Sequence, residues 1–288
     1  MITILIILAA VLLAFAVYLC LGTDNRLQTV CYTVTTDKVS ASVRLAVVTD
    51  LHSCQYGEGQ TELLAAIEAQ KPDAVLLGGD IYDDKLPEEQ ADLFLQAAGK
   101  RFRCYYIPGN HELRRFSGDC MDLLLERVSS YGITVLCGKC ETVTWNGSTL
   151  NICGLTEQTE KTRYIRLPSE VDNSETAELS ALAEAADNGC FTVLMAHRPS
   201  KIRQYLSQDF DLIVAGHAHG GQWRIPGILN GLIAPDEGLF PKYAGGRYDF
   251  DHASMIVSRG LSRKHKFIPR IFNPPELVIV DIAPSCGK

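Results

Sequence analysis

Leu212-Ile213-Val214-Ala215-Gly216-His217-Ala218-His219-Gly220-Gly221 joins an apolar run to two histidines and a glycine pair. The run reads as a buried strand, and the glycines as the sharp turn that ends it. On an extended segment positions i and i+2 project the same way, so His217 and His219 share a side. Two imidazoles together at a strand tip suit a metal ion. By itself the pair reads equally well as two polar residues in a loop.

Four other apolar runs end in the same kinds of residue. Leu45-Ala46-Val47-Val48-Thr49 leads to Asp50-Leu51-His52, and Ala74-Val75-Leu76-Leu77-Gly78-Gly79 leads to Asp80. Tyr105-Tyr106-Ile107-Pro108-Gly109 leads to Asn110-His111-Glu112, and Phe191-Thr192-Val193-Leu194-Met195-Ala196 leads to His197. The chain has seven histidines, and His52, His111, His197, His217 and His219 all sit on these ends. That concentration predicts one shared site.

The runs alternate with helical patterns. Thr61 to Gln70 places Leu63, Leu64 and Ile67 on one face and stops at Pro72. Pro87 opens a second helix, with Glu88 and Glu89 in its first turn, that ends near Gly99; a third runs from Asp119 to Ser130 and closes at Gly132. With strands at 43–49, 74–77 and 103–107, this rhythm predicts parallel strands joined by helical crossovers. In such sheets ligands sit beyond the C-terminal strand ends, where Asp50, Asp80 and Asn110 lie.

The second half is richer in strands. Short ones are expected at 133–136, 141–145 and 149–153, the last two joined by the hairpin signal Asn146-Gly147. A polar loop at 156–174 carries Lys161, Arg163 and Arg166; a helix follows from Glu175 to Asp187, then strands at 191–196 and 211–215. From Gly220 to Pro275 the chain is rich in Gly and Pro with no long periodic element, and Leu277 to Ile282 reads as a final strand. No linker divides 43–283, so one α/β domain is expected there, with 284–288 as a tail.

Ile2 to Leu21 is the compositional outlier, twenty residues without a charge. That is the length of a helix crossing a bilayer, and it lacks the basic start and small-residue cleavage site of a signal peptide. Residues 1–22 are therefore expected to be an uncleaved transmembrane anchor and 23–42 a polar, Thr-rich connector. Arg26 and Lys38 follow the span and no basic residue precedes it, which leans toward a single-pass membrane protein with a cytoplasmic domain. Ten cysteines in no evident framework lean toward a reducing compartment, and Cys137-Gly138-Lys139-Cys140 is one isolated CxxC. A net charge of −7 argues against a nucleic-acid partner.

Two carboxylates, an amide oxygen and four imidazoles suit two adjacent divalent cations of the Mn, Fe or Zn type, calcium wanting more oxygens. A carboxylate such as Asp80 suits the bridging position. The cations would activate a water and hold phosphate oxygens, leaving His111 to protonate the leaving oxygen.

Asp50-x-His52, Gly79-Asp80, Gly109-Asn110-His111-Glu112, His197 and Gly216-His217-x-His219 resemble, in order, the signature of the calcineurin-like metallophosphoesterases. The resemblance implies that Asp50, His52, Asp80 and His219 hold one metal and that Asp80, Asn110, His197 and His217 hold the other. It implies His111 as catalytic histidine and a four-layer α/β/β/α sandwich. Gly79-Asp80-Ile81-Tyr82-Asp83-Asp84-Lys85 lacks the arginine of the family's protein Ser/Thr phosphatases. The tracts Gly220 to Gly227, Gly238 to Tyr243, Ser258-Arg259-Gly260 and Asn273 to Glu276 are similar instead to a bacterial, membrane-anchored subgroup, the YkuE/YaeI-type phosphodiesterases. Some relatives there cleave UDP-2,3-diacylglucosamine, which implies a phosphodiester or pyrophosphate substrate, lipid-linked or a nucleotide-sugar lipid.

An anchored domain also suits a lipid-linked phosphoester. Arg259, Arg263, Lys264, Lys266 and Arg270, interleaved with Leu261, Phe267 and Ile268, form a basic tract in which Arg259 and Arg263 are candidates to meet a substrate phosphate; a solvated loop accounts for the tract equally well. Cys54, two residues beyond His52, reads as a bystander thiol. The competing functions are a phosphomonoesterase and a non-enzymatic membrane scaffold that binds metal or phospholipid.

Overall fold

Strand side chains point alternately to opposite faces, and the central strands here are apolar on both. The computed structural model describes residues 2–157, 168–263 and 269–285, without the side chains of 168–173 and of part of Ile2–Gly22. One six-stranded sheet contains β1 (Gln28–Thr36), β2 (Val43–Val48), β3 (Ala74–Gly78), β4 (Cys104–Ile107), β5 (Thr134–Val135) and the C-terminal β14 (Glu276–Pro284), in the order β1-β14-β2-β3-β4-β5. A second six-stranded sheet contains β6 (Lys139–Trp145), β7 (Ser148–Gly154), β8 (Phe191–Met195), β9 (Leu212–Ala215), β12 (Gly246–Asp249) and β13 (Ser254–Val257), in the order β12-β13-β9-β8-β7-β6. β10 (Ile233–Ala234) and β11 (Gly238–Leu239) form a separate small hairpin.

The register sorts the side chains into layers. Leu45, Val47, Leu76 and Tyr105 of the first sheet meet Leu150, Ile152, Val193, Met195 and Val214 of the second in one buried cluster between the sheets. Their neighbours Ala46, Val48, Val75, Leu77 and Tyr106 face away, into a cluster with Leu63, Leu64 and Ile67 of helix α2 (Thr61–Gln70), Phe94 and Leu95 of α3 (Glu89–Arg101), and Leu124 and Val128 of α5 (Asp119–Ser130). Leu194, Ile213 and Met255 of the second sheet face Leu179 and Leu182 of the helix Pro168–Ala185 and Ile202 and Tyr205 beyond it. The layers thus run helix, sheet, sheet, helix, and strands buried on both faces account for the continuous apolar runs.

β2, β3 and β4 are parallel neighbours in one sheet, as are β7, β8 and β9 in the other. Their C-terminal ends carry all the ligand-type residues. Of the helices between them, α3 is delimited as charge would have it, with Glu89 and Asp92 in its first turn and Lys100 and Arg101 in its last, complementing its dipole.

One stretch differs from the sequence expectation, and two others gain detail. The connector 23–42 contains a nine-residue strand, β1, paired in parallel with β14 from Gln28↔Glu276 to Thr36↔Pro284. As an edge strand only Val34 of it is buried, so its composition stays polar. Gly220–Pro275 contains β10 to β13. Cys140 faces Cys153 across the β6–β7 pair rather than Cys137, and no cysteine among the described residues belongs to a metal-holding group. Lys161, Arg163, Arg166, Lys264, Lys266, Phe267 and Ile268 lie outside the described residues.

Ile2–Gly22 forms a 21-residue helix, α1. Among the described residues no helix is long and apolar enough to cross a membrane, and several side chains of α1 are not among those described.

Candidate metal centre

Three of the five ligand-bearing loops, those after β2, β3 and β9, leave their strands through an unusual backbone conformation. Asp50 (φ 52°), His52 (φ 48°), Asp80 (φ 53°), His217 (φ 64°) and His219 (φ 48°) all occupy the left-handed region. Asp, Asn and His tolerate that region better than other non-glycine residues, and such strain collects where function needs a side chain aimed. The loops brace one another: Asp50 N–H donates to Gly79 O (3.0 Å), His52 N–H to Asp80 O (2.9 Å) and Ser53 N–H to Ile81 O (3.0 Å).

A buried carboxylate completes the brace. Glu112, in the first turn of α4 (Asn110–Arg115), accepts from Gly109 N (2.9 Å), Asp80 N (2.9 Å), Ile81 N (2.7 Å) and Tyr82 N (3.1 Å). It ties the loop after β3 to the loop after β4 and satisfies helix-start donors as it does so. Burial, with Asp80 nearby, pushes its carboxyl up to about 7. Gly109 packs on Asp80 so closely that a Cβ there would strike its carboxylate and backbone nitrogen.

The side chains converge in two sets, and Asp80 of one reaches toward the other. Asp50, His52 and His219 form one, with His52 Nε2 3.9 Å and His219 Nε2 3.8 Å from Asp50 Oδ1. Asp80, His197 and His217 form the other. Asp80 Oδ2 lies 3.3 Å from His197 Nε2, 3.7 Å from His52 Nε2 and 4.0 Å from His111 Nε2, so it looks into both. That oxygen is buried and has no hydrogen-bond partner. The Asn110 amide oxygen approaches His217 Nδ1 (2.7 Å) and His197 Nε2 (3.2 Å). Without a cation the opposite orientation of this amide is the better one, since its nitrogen then donates to both rings and its oxygen accepts from Arg114. With a cation the oxygen and both ring nitrogens supply lone pairs to a single point. Buried acceptors aimed at one another fit divalent ions, and imidazole with carboxylate suits Mn, Fe or Zn.

Outer partners set the rings. His197 Nδ1 meets Gly78 O at 2.9 Å, which leaves Nε2 to face Asp80. His217 Nε2 lies 3.1 Å from Asp236 Oδ2, which leaves Nδ1 to face Asn110. Arg198, itself buried, holds Asp236 (2.6 Å) with one nitrogen and Glu157 (2.7 Å) with another. His52 Nδ1 lies 3.3 Å from Asp83 Oδ2, and His111 Nδ1 lies 3.2 Å from Asp84 Oδ1. Glu112, Asp236, Arg198 and Glu157 were not singled out from the sequence. Only Glu112 left a signal there, standing in the same short motif as Asn110 and His111.

The electrostatics reflect cations replaced by protons. Burial would raise the Asp80 carboxyl, but His197, His52 and His111 hold it well below the usual carboxylate range. Burial would lower His197, yet Asp80 beside it raises the imidazole to about 10. His52 is raised against its own burial by Asp83, Asp80 and Asp50. His111 differs: burial lowers it, and Asp80 and Asp84 only partly compensate.

Arg259 and Arg263 are placed elsewhere. Arg259 Nη2 pairs with buried Glu276 (2.5 Å). Arg263 pairs with Glu62 (2.8 Å) while its guanidinium lies 3.7 Å over the Tyr56 ring. Both guanidinium groups are thus committed to structural partners instead of the metal sets. Arg270 is buried, donates to Arg259 O (2.8 Å), and is pushed down to about 10 by burial. Cys54 packs in the cluster beneath the helices and belongs to neither metal set.

The chain is 26% identical over 190 residues to an uncharacterized metallophosphoesterase of Helicobacter pylori, covering 65% of this chain and 47% of that protein. It therefore spans about half the length of that relative. It is 24% identical over 254 residues to the phosphodiesterase YaeI of Escherichia coli, covering 84% of this chain and 83% of that one. Among solved structures, the NAD nucleotidase of Haemophilus influenzae aligns with a TM-score of 0.49 at 19% identity, over 77% of this chain and 51% of that one. The calcineurin-like phosphoesterase profile matches residues 43–221, the span from β2 to the end of the His217/His219 loop, and the chain belongs to that family.

Proposed function

We propose that the chain is a membrane-anchored, metal-dependent phosphoesterase that hydrolyses phosphodiester or pyrophosphate bonds, with a lipid-linked substrate such as UDP-2,3-diacylglucosamine. The observation that carries the hydrolase reading is Asp80 Oδ2, a buried oxygen without a hydrogen bond that faces both donor sets at once. Asp50, His52, Asp80 and His219 would hold one divalent cation, and Asp80, Asn110, His197 and His217 the second. When bound, such a pair supplies an activated water and neutralises charge gathering on the attacked phosphorus.

The chain's own residues do the rest. Asp236 and Gly78 fix the tautomers of His217 and His197, so that each presents a lone pair inward. Glu112 keeps Asp80 and His111 in register across two loops. His111 Nε2 gives its proton to the leaving oxygen, with Asp84 holding Nδ1 on the far side of the ring. Arg114 Nη1, 3.4 Å from His111 Nε2, brings positive charge to the place where phosphate oxygens arrive.

The uncharged stretch Ile2 to Leu21 and its helical form support the anchor. A phosphodiesterase among the relatives that match over most of both chains supports diesters over monoesters. The expected result is hydrolysis of bis-p-nitrophenyl phosphate with added Mn²⁺, faster than that of p-nitrophenyl phosphate. Asp80→Asn removes the shared ligand, worth several kcal/mol, and should lower kcat about a thousandfold or more. Metal-loaded protein that turns over no phosphoester would end this reading; preference for the monoester would replace it with a phosphomonoesterase.

A further inference from the structure

Besides α1 and two isolated leucines, Leu93 and Leu123, the large apolar side chains left exposed among the described residues all belong to Gln222–Pro241. Ile228 is 84% exposed, Phe240 66% and Leu239 65%, with Ile225 beside them. They form two tips. One is the turn closed by Ile225 N–H to Leu229 O (3.0 Å) and Leu229 N–H to Ile225 O (2.8 Å). The other is the β10–β11 hairpin, from which Phe240 N–H returns to Leu232 O (2.8 Å). Turn tips in water are ordinarily polar, and neighbouring bare apolar tips mark a contact surface.

What they contact is indicated by their place in the fold. Trp223 bridges to Ile271, and Arg224 N–H donates to Ile271 O (2.9 Å). The next residue, Phe272, donates its N–H to Gly22 O (2.8 Å), the last residue of α1, which is buried against Ile271 and Phe272. The tips therefore stand on the same short run of backbone as the exit of the apolar N-terminal helix. The metal centre adjoins them too. Asn273 Nδ2 donates to His219 O (2.7 Å) and Gln222 O (3.2 Å), and Asp236, between β10 and β11, faces His217.

We propose that Gln222–Pro241 is the surface by which the domain lies on a phospholipid bilayer, with Ile228, Leu239 and Phe240 entering its interfacial zone and the metal centre opening at headgroup level. The proposal rests on the reading of α1 as an anchor and of the centre as a phosphoesterase. It deepens both by naming the face that meets lipid. Apolar side chains at the end of an anchor bind an interface by the area they bury there, and the anchor holds them within reach at no further translational cost.

The test uses the full chain in nanodiscs of phosphatidylethanolamine and phosphatidylglycerol, with and without acyl-brominated lipid. Ile228→Trp should add a blue-shifted emission that bromolipid quenches by about half, while Leu123→Trp on α5 should add one that it does not quench. Equal quenching of the two, or none at Ile228, overturns the proposal. The triple variant Ile228→Ser, Leu239→Ser, Phe240→Ser should lose about tenfold in hydrolysis of a phosphodiester presented in the bilayer and retain hydrolysis of bis-p-nitrophenyl phosphate. Equal rates on both substrates relative to the parent overturn it, as does an unquenched Ile228→Trp in a chain whose dimer dissociates in the triple variant, which would make the face a contact between copies. If the parent hydrolyses neither substrate, the phosphoesterase reading fails and the quenching still decides the docking face.

Discussion

His111 has 21% of its side chain accessible, against 7% or less for His52, His197, His217 and His219. On the proposed reading the four enclosed rings would hold ions and the open one would meet a leaving group. Proton donation matters most when the departing oxygen is a poor leaving group. His111→Ala should therefore lower kcat about 10² to 10⁴-fold on an alkyl phosphodiester and much less on bis-p-nitrophenyl phosphate. Comparing the two substrates in one variant separates proton transfer from loss of metal, which would depress both alike. Glu112 offers a second case at this scale. Glu112→Gln puts an amide NH₂ where Asp80 N–H and Gly109 N–H now donate, leaving donors facing donors. The expected cost is about 1–3 kcal/mol, or a fall in Tm of roughly 5 °C by scanning calorimetry, with metal affinity reduced as well.

The elements that carry the candidate ligands were readable because each is a strand buried on both faces, which makes a continuous apolar run, and each run stops close to a residue of metal-ligand type. The i, i+2 pair His217/His219 was readable for the direction of its side chains only in outline, since both residues enter the left-handed region after β9. β1 was not readable: exposed Gln and Thr with half-buried Val30 and Tyr32 between them are what an edge strand leaves behind, and its pairing with β14 joins segments nearly the whole chain apart. Asp236 was hidden for the same reason of distance, in a Gly/Pro-rich segment with no periodicity to place it. The β10–β11 hairpin exists, on this view, partly to bring that carboxylate to His217. Asp236→Ala would free the ring and leave Arg198 with Glu157 alone. Outer carboxylates of this kind are worth about 10- to 100-fold in metal affinity. Calorimetric titration with Mn²⁺ or Zn²⁺ should show that loss with circular dichroism unchanged; unchanged affinity would make Asp236 a partner of Arg198 only.

For the whole molecule, the proposed metal pair would also fasten the two sheets together, since β2, β3 and β4 of one and β8 and β9 of the other all bring candidate ligands to one place. Without ions the site is held by imidazolium–carboxylate pairs, and the signs follow from their shifts. His197 is raised to about 10, so its contribution is complete below the unfolded value of 6.5 and is lost as pH rises from there toward 10. Asp80 is depressed, so its contribution is present above the unfolded value of 3.8 and is lost as pH falls below it. Metal-free protein should therefore be most stable between about pH 4 and 6.5 as far as this site decides, and should weaken steadily on the alkaline side. Ions reverse that slope, because they need neutral imidazoles and expel the same protons: their affinity rises with pH, and calorimetric titration in buffers of different ionisation heat should register proton release. At about a hundred times Kd, a bound ion adds roughly 2.7 kcal/mol, enough to raise Tm by about 5–10 °C in a domain of this size. Thermal scans with and without EDTA from pH 6 to 9 should accordingly diverge, the gap widening as pH rises. A gap that stays constant would mean that His197 and Asp80 do not exchange a proton for a cation.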